Sequence, residues 1–309
     1  METPLTPHLD AIESLLRQRL PGSRYQFELY DVTTDQAHGR GALAESMAWA
    51  SVYKLAVIAT AVQLIDAGEL RADQPLLLDK QRFRHGDGVL QATQHLAHLS
   101  IADAARLIIA TSDNVCSDTL HALVGPDRVA QLLVAAGCAH SRITDNVDSL
   151  VGPLLAVEHP WTTPGYLNSA AMFAAYEAPM AALLPGNHTT APDCNRLWRY
   201  LATAAFSPAG RELFFNIVQT PSVWARLGRY ANFLPWVKMS GKTGTLGLGA
   251  VLTESVVLYR QTAAEPLAFF TILTQHNRQP FYEVCEVLAQ VGAELAALYQ
   301  PTAPDASPH

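Results

Sequence analysis

The spacing of apolar residues predicts a helix at the start of the chain and a strand soon after it. Between residues 7 and 19 apolar side chains recur at helical spacing. Residues 25–32, YQFELYDV, alternate with a period of two, which is typical of a strand, and residues 40–44 are a candidate partner strand. From Ser51 to Leu70 the chain is apolar on almost every side, which predicts a fully buried helix.

The rest of the chain divides into a helical middle and a strand-rich end. Helical spacing, with Pro or Gly at some boundaries, predicts further helices at residues 101–110, 126–137, 168–177, 192–203 and 208–219. After Pro235 the pattern changes, and the predicted elements are strands at residues 236–244, 250–260 and 266–275 and a helix at 280–299.

This order of elements predicts an α/β (α+β) fold in two lobes. Strands from both ends of the chain would join in one antiparallel sheet flanked by the terminal helices, which places residues 1–48 and 190–309 in one lobe. Residues 49–189 would form an inserted all-helical lobe that includes an irregular stretch at 145–187. We expect the active site in the cleft between the lobes, because such clefts commonly bind small molecules.

The composition excludes several classes of protein. With 49% apolar and 16% charged residues over 309 positions, the chain is too apolar for an intrinsically disordered protein. A net charge of −7 leaves no basic excess for binding nucleic acid. No apolar run reaches about 18 residues, so we expect no membrane-spanning helix. The four cysteines lack metal-ligand spacing, and we expect neither a metal nor an organic cofactor.

Lysine is scarce, with four residues among the 21 basic ones, and two of the four stand in candidate chemical motifs. Ser51 and Lys54 open the predicted buried helix, and residues three apart share a helix face, so the hydroxyl and the amine can meet. A lysine that enters an apolar helix loses hydration, which favours the neutral amine and lets it act as a base toward the serine. The alternative is an N-cap serine beside a lysine that reaches solvent.

Two further motifs follow along the chain. S-D-N at residues 112–114 comes directly after an apolar helix, and it either places a hydroxyl and an amide on one side of a turn or caps a helix. Lys242-Thr243-Gly244 ends the first C-terminal strand, where alternation puts Lys242 and Gly244 on one face. Lys242 and Thr243 suit a carboxylate partner, and Gly244 permits close approach of another group, although a turn into a hairpin explains the motif as well.

In this order, S-x-x-K, S-D-N and K-T-G form the signature of class A β-lactamases and penicillin-binding proteins. The chain resembles the class A serine β-lactamase family over most of its length. The resemblance implies a serine β-lactamase-like hydrolase that opens β-lactams or related amides and esters through an acyl-enzyme. For catalysis it implies Ser51 as nucleophile, Lys54 as general base and Ser112 as proton donor to the leaving nitrogen. The backbone N–H groups of Ser51 and Thr245 would form the oxyanion hole. The implied substrate-binding residues are Asn114, Lys242, Thr243 and Gly244, with Arg229 or Arg226 as an assisting cation for the substrate carboxylate.

One part of the family's pattern is not matched. Between S-D-N and K-T-G the family carries an E-x-x-L-N motif, whose glutamate prepares the water that hydrolyses the acyl-enzyme. Here that interval is longer, with the surplus in residues 145–187, and the matching position before Leu-Asn is occupied by Pro164. Other carboxylates in this region are Asp145, Asp148 and Glu158, and no spacing argument selects one of them.

Two functions besides rapid hydrolysis therefore stay open. A penicillin-binding, DD-peptidase or esterase type of enzyme would keep the acylation apparatus and turn over slowly, and a β-lactam binder or sensor would stay acylated. Each would take a small β-lactam or acyl substrate, and we expect a monomer. The family is usually periplasmic or secreted, whereas residues 1–20 show no signal-peptide pattern, so the compartment stays open.

Overall fold

Residues from both ends of the chain build one five-stranded antiparallel sheet in the computed structural model, which describes residues 5–79, 88–93, 95–155, 175, 186–223, 225–261 and 265–301. The strands are β1 (Arg24–Asp31), β2 (Gln36–Gly41), β3 (Met47–Ala48), β4 (Pro75–Leu77), β5 (His98–Ser100), β6 (His188–Thr189), β7 (Val237–Leu246), β8 (Val251–Arg260) and β9 (Pro266–Gln275). The main sheet has the order β2-β1-β9-β8-β7, and β3 pairs with β6 and β4 with β5 in two small sheets. The predicted antiparallel α+β fold is confirmed.

The helices lie on both faces of the main sheet. They are α1 (Leu5–Arg19), α2 (Lys54–Asp66), α3 (Ile101–Thr111), α4 (Asn114–Val124), α5 (Pro126–Ala135), α6 (Val147–Leu155), α7 (Ala191–Thr203), α8 (Pro208–Val218), α9 (Gly228–Ala231) and α10 (Phe281–Leu298). Helices α1 and α10 cover one face, where their apolar stripes pack against Phe27, Val256 and Phe270. The opposite face packs against α7 and α8, and its residues Val257, Tyr259 and Phe269 belong to the same apolar core as α2.

Helix α2 lies at the centre of the second core. Every residue from Lys54 to Val62 is buried, which fits a helix that is apolar on all sides and is surrounded by other elements. A 3₁₀ turn at Ala50–Tyr53 leads into it, so the predicted single helix is two segments. The change of helix type lies at the S-x-x-K motif.

Several elements differ from the sequence prediction. Strand β2 lies at Gln36–Gly41 rather than at 40–44, and none of its residues is buried, so it carries no apolar alternation. Helices α4 and α6 occupy stretches for which no helix was predicted. The predicted helix at 168–177 lies outside the described residues except for residue 175, which is helical. Among the described residues, no helix is long and apolar enough to cross a membrane.

Candidate active site

Ser51 stands at the entrance to α2, in a short 3₁₀ turn with a strained start. Ala50 has a φ of 44°, in the left-handed region that residues with a Cβ rarely adopt. The turn is held by the Thr253 hydroxyl, which donates to the carbonyl oxygen of Trp49 at 2.9 Å. The N–H of Lys54 closes the turn on the carbonyl oxygens of Ser51 and Val52. Ser51 is half-buried, and its position is fixed by both the turn and the neighbouring sheet.

The Lys54 side chain is fully buried and reaches the S-D-N motif. Its Nζ donates to Ser112 O at 2.7 Å, to Ser112 Oγ at 3.2 Å and to Asn114 Oδ1 at 2.5 Å. These oxygens replace the water that the amine loses on burial. The alternative in which Lys54 reaches solvent is therefore wrong.

A junction between two helices presents Ser112 and Asn114 to this lysine. Helix α3 ends at Thr111 and Ser112 is its C-cap, with a φ of 59° in the left-handed region, and α4 begins at Asn114. Between them the buried Asp113 is the N-cap of α4, because its carboxylate accepts the N–H of Cys116 at 2.9 Å. The same carboxylate accepts the N–H of Leu90, also at 2.9 Å. The motif thus caps a helix and also supplies polar groups to the site.

Strand β7 forms the opposite side of the site. Lys242 is fully buried, and its Nζ donates to Ser112 Oγ at 3.0 Å and to Thr243 O at 2.7 Å. Burial holds the pKa of Lys242 well below its usual range, and the nearby charges of Lys54 and Arg226 lower it further, whereas Glu254 raises it. Two lysines from different parts of the chain therefore meet at one serine hydroxyl.

Gly244 allows β7 to lie against the turn that carries Ser51. A Cβ on Gly244 would stand 2.8 Å from Ser51 N and 2.8 Å from the Cβ of Ala50, closer than real Cβ atoms come. A side chain at this position would push the strand away from the 3₁₀ turn. The glycine thus has a packing reason that spacing alone did not reveal.

The two arginines singled out from the sequence lie in different surroundings. Arg226 is 3% exposed, and its guanidinium donates to Thr245 Oγ1 at 2.5 Å and to Gly244 O at 3.4 Å, at the end of β7. Arg229 is half-exposed and stands 3.6 Å from Glu286 on α10. The structure brings Arg226, and not Arg229, to the K-T-G motif.

A buried carboxylate that sequence reasoning did not single out lies one helical turn beyond Asn114. Asp118 accepts the N–H of Val147 at 2.8 Å and the N–H of Asp148 at 2.9 Å, so it holds the N-terminus of α6. Burial raises the pKa of Asp118 to about 6, although these two N–H groups and Lys54 favour its charged form. Its spacing of four residues from Asn114 was the signal that could have found it.

The sequence offered three carboxylates as the deacylating base, and two of them lie near the residues that Asp118 holds. The N–H of Asp145 donates to Asn187 Oδ1 at 2.9 Å, and its carboxylate accepts the Thr144 hydroxyl at 2.8 Å. Asp148 is partly buried at the start of α6. Glu158 and Pro164 lie outside the described residues.

The described residues include no group of three or more His, Cys, Asp or Glu side chains that could hold a metal ion. The four cysteines are Cys116, Cys138, Cys194 and Cys285, and all are buried free thiols. Burial raises the pKa of each thiol, which keeps it protonated.

A model of the β-lactamase enzyme family matches residues 9–299. This chain belongs to that family. The match spans both sides of the candidate site, so the resemblance to serine β-lactamases is confirmed. No curated protein matches the chain.

Solved structures of β-lactamases and of a related protein share the fold. A β-lactamase from Sphaerobacter thermophilus is 17% identical with a TM-score of 0.73, and 94% of this chain and 99% of that chain are covered. A β-lactamase from Xanthomonas campestris is 20% identical with a TM-score of 0.73, covering 94% and 97%. PBP-A is 15% identical with a TM-score of 0.72, covering 97% and 98%, and a mutant of PBP-A is described as an acyl-enzyme complex with penicillin G. At these identities the likeness is one of fold.

Proposed function

We propose that this protein is a serine hydrolase that opens β-lactams, or related amides and esters, through an acyl-enzyme on Ser51. The observation that carries the proposal is that Lys54 and Lys242, from opposite sides of the site, both donate to Ser112 Oγ, at 3.2 and 3.0 Å. Membership of the β-lactamase enzyme family supports the same reaction class. The substrate would be a small molecule bound between the sheet-bearing part, residues 1–48 and 190–309, and the helical part, residues 49–189.

In the acylation step, Ser51 Oγ attacks the carbonyl carbon while Lys54, as the neutral amine, takes the hydroxyl proton. The carbonyl oxygen gains negative charge, which the N–H groups of Ser51 and Thr245 would stabilise. The close packing of Gly244, the residue before Thr245, against Ser51 N supports this pairing of N–H groups. When the ring C–N bond breaks, Ser112 gives its proton to the leaving nitrogen and regains one from Lys54, which restores the lysine.

Substrate binding would use the K-T-G strand and α4. Lys242 and Thr243 would hold a substrate carboxylate, and Asn114 would bind the amide of the acyl side chain. Arg226 is the arginine that supports this end of the site, because its guanidinium reaches Thr245 and Gly244 whereas Arg229 is engaged near Glu286. A carboxylate placed there would meet buried positive charge.

A slow-turnover enzyme is the second candidate, and the sequence favours it at one position. Where the family's E-x-x-L-N motif has its glutamate, this chain has Pro164, which cannot activate water. The likeness to PBP-A, a mutant of which is described as an acyl-enzyme with penicillin G, is compatible with this candidate. Acylation needs the Ser51 and Lys54 pair, whereas deacylation also needs a base for water.

Intact-mass spectrometry during reaction with penicillin G, combined with steady-state nitrocefin hydrolysis, tests the proposal. We expect an adduct of the mass of penicillin, on the wild type but not on Ser51→Ala. The exposed Ser14→Ala on α1 is the matched control and should behave as the wild type. Rapid hydrolysis with no lasting adduct supports a β-lactamase, and a lasting adduct supports the slow-turnover enzyme. Labelling of Ser51→Ala, or no reaction with any β-lactam, would contradict the proposal.

A further inference from the structure

A carboxylate interrupts the apolar inner face of β8. Leu252, Val256 and Leu258 alternate along this strand and belong to the core beneath α1 and α10. Glu254 occupies the same face and is 2% exposed. Burying a carboxylate costs free energy unless it is paired, so this position needs a reason other than packing.

The Glu254 carboxylate holds the backbone that carries Arg226. Its Oε1 accepts the N–H of Arg226 at 3.3 Å, and its Oε2 accepts the N–H of Leu227 at 3.2 Å, immediately before α9. From this anchored backbone the Arg226 side chain extends to Thr245 Oγ1. Glu254 therefore acts on the K-T-G strand through Arg226.

The same carboxylate supplies negative charge to a cluster of buried cations. Lys54, Arg226 and Glu254 all act on the pKa of Lys242: the two cations lower it and the carboxylate raises it. Burial raises the pKa of Glu254, while Arg226 and Lys242 oppose that rise. Cys285 of α10 also faces Arg226 and Glu254, and burial raises its thiol pKa, so it adds no charge at neutral pH.

We propose that Glu254 is a positioning residue that orients Arg226 and serves as the counter-charge of Lys242, and thereby prepares the K-T-G end of the site for a substrate carboxylate. Glu254 does so from β8, the strand next to β7, where it stands opposite Thr243, the residue that follows Lys242. This inference rests on the proposed acyl-enzyme function for its substrate, although its effect on Lys242 does not.

The kinetic test compares acylation by penicillin G with acylation by its methyl ester in the wild type and in Glu254→Gln. We expect the rate constant with the free acid to fall about tenfold and that with the ester to change less than about threefold, because the ester lacks the charge that the prepared end would bind. Glu28→Gln, at a buried carboxylate of β1 in the same sheet, is the matched control and should leave the ratio unchanged. An equal fall with both substrates, or an unchanged ratio, would overturn the proposal.

A second measurement does not depend on reaction with β-lactams. The chain has four lysines, so NMR of lysine labelled at Cε gives only a few signals. The variants Lys80→Arg, Lys238→Arg and Lys54→Ala assign these signals to residues. In Glu254→Gln the titration midpoint of Lys242 should fall by about one pH unit, and in Glu28→Gln it should not move. If Glu254→Gln does not fold, Glu254→Asp keeps the charge and should leave the Lys242 midpoint near that of the wild type.

The two measurements separate failure of this inference from failure of the proposed function. An unmoved Lys242 midpoint in folded Glu254→Gln, or a shifted one in Glu254→Asp, would contradict the role of Glu254 even if penicillin G acylates the protein. If no β-lactam acylated the wild type, the proposed function would be contradicted. The lysine titration would still decide whether Glu254 raises the titration midpoint of Lys242.

Discussion

The helical side of the candidate site and its sheet side are built on the same plan. Each has a buried lysine, Lys54 on α2 and Lys242 on β7, and each has a buried carboxylate that accepts two backbone N–H groups of a further element. On the helical side Asp118 holds the start of α6, and on the sheet side Glu254 holds the turn before α9.

The two sides differ in the groups around the lysine. Lys54 contacts the neutral oxygens of Ser112 and Asn114, which suits an amine that gives and takes a proton. Lys242 also hydrogen-bonds to neutral oxygens, those of Ser112 and Thr243, but the charges of Arg226 and Glu254 act on it, so an incoming anion would meet more than one cation there. Under the proposed function, these neighbours direct one lysine to proton transfer and the other to recognition of an anion.

The largest effect is expected at Lys54. Replacing it with alanine should slow acylation by about 10²-fold or more, the range of general-base catalysis, when the appearance of the adduct is followed by mass spectrometry. Lys238→Ala, at a lysine that donates to Gln219, is the matched control and should acylate at the wild-type rate. Near wild-type acylation of Lys54→Ala would mean that the helical side does not carry the base.

Asp118 gives the helical side a pH dependence of stability. Its folded pKa of about 6 is higher than its ordinary value near 3.8, so the folded protein binds this proton more tightly than the unfolded chain does. The stability that this group contributes is present at low pH and is lost as pH rises from about 4 to about 6. Relative to Asp118→Asn, the free energy of unfolding of the wild type should fall by about 2 kcal/mol over that range.

Urea unfolding at several pH values measures this difference. Other carboxyl groups titrate alike in the two proteins and cancel in the comparison. A difference that stays constant from pH 4 to pH 7 would show that burial of Asp118 does not disfavour its charge.

A smaller effect is expected at Arg226 on the sheet side. Arg226→Lys keeps a charge but loses the planar group that reaches both Thr245 and Gly244, and KM for penicillin G should rise about fivefold to tenfold. Arg229→Lys is the matched control, since Arg229 lies beside Glu286, and its KM should stay within about twofold of wild type. The opposite ranking of the two variants would assign carboxylate recognition to Arg229.

Strong periodicity made much of the fold predictable from the sequence. Strand β9 has the predicted bounds, because its residues alternate between two apolar cores and nearly all of them are buried. The predicted position of strand β2 was wrong, because its sequence QAHGRG has no buried residue and hence no alternation of apolar and polar side chains. Helix α4 was missed because its buried side chains include Ser117, Asp118 and Thr119, which read as polar surface or turn in a single sequence.

The site was predictable where motifs name its residues and not where packing alone defines them. Ser112, Asn114 and Lys242 come together from distant positions, which the order of the motifs implied but could not demonstrate. Sequence analysis did not identify Asp118 and Glu254, because their role depends on the backbone N–H groups that they accept. Those N–H groups belong to residues 27 to 30 positions away. Such contacts leave no periodic trace in the sequence.

Because both lysines contact the Ser112 hydroxyl, they limit the direction in which its hydrogen can point. A hydroxyl oxygen has two lone pairs and one hydrogen, and here one ammonium or amine donates to it from each side. With both lone pairs engaged, the hydrogen has a single remaining direction in which to donate. The two lysines thus fix the direction of the Ser112 O–H bond, and Ser112 is oriented as a hydrogen-bond donor before any substrate binds.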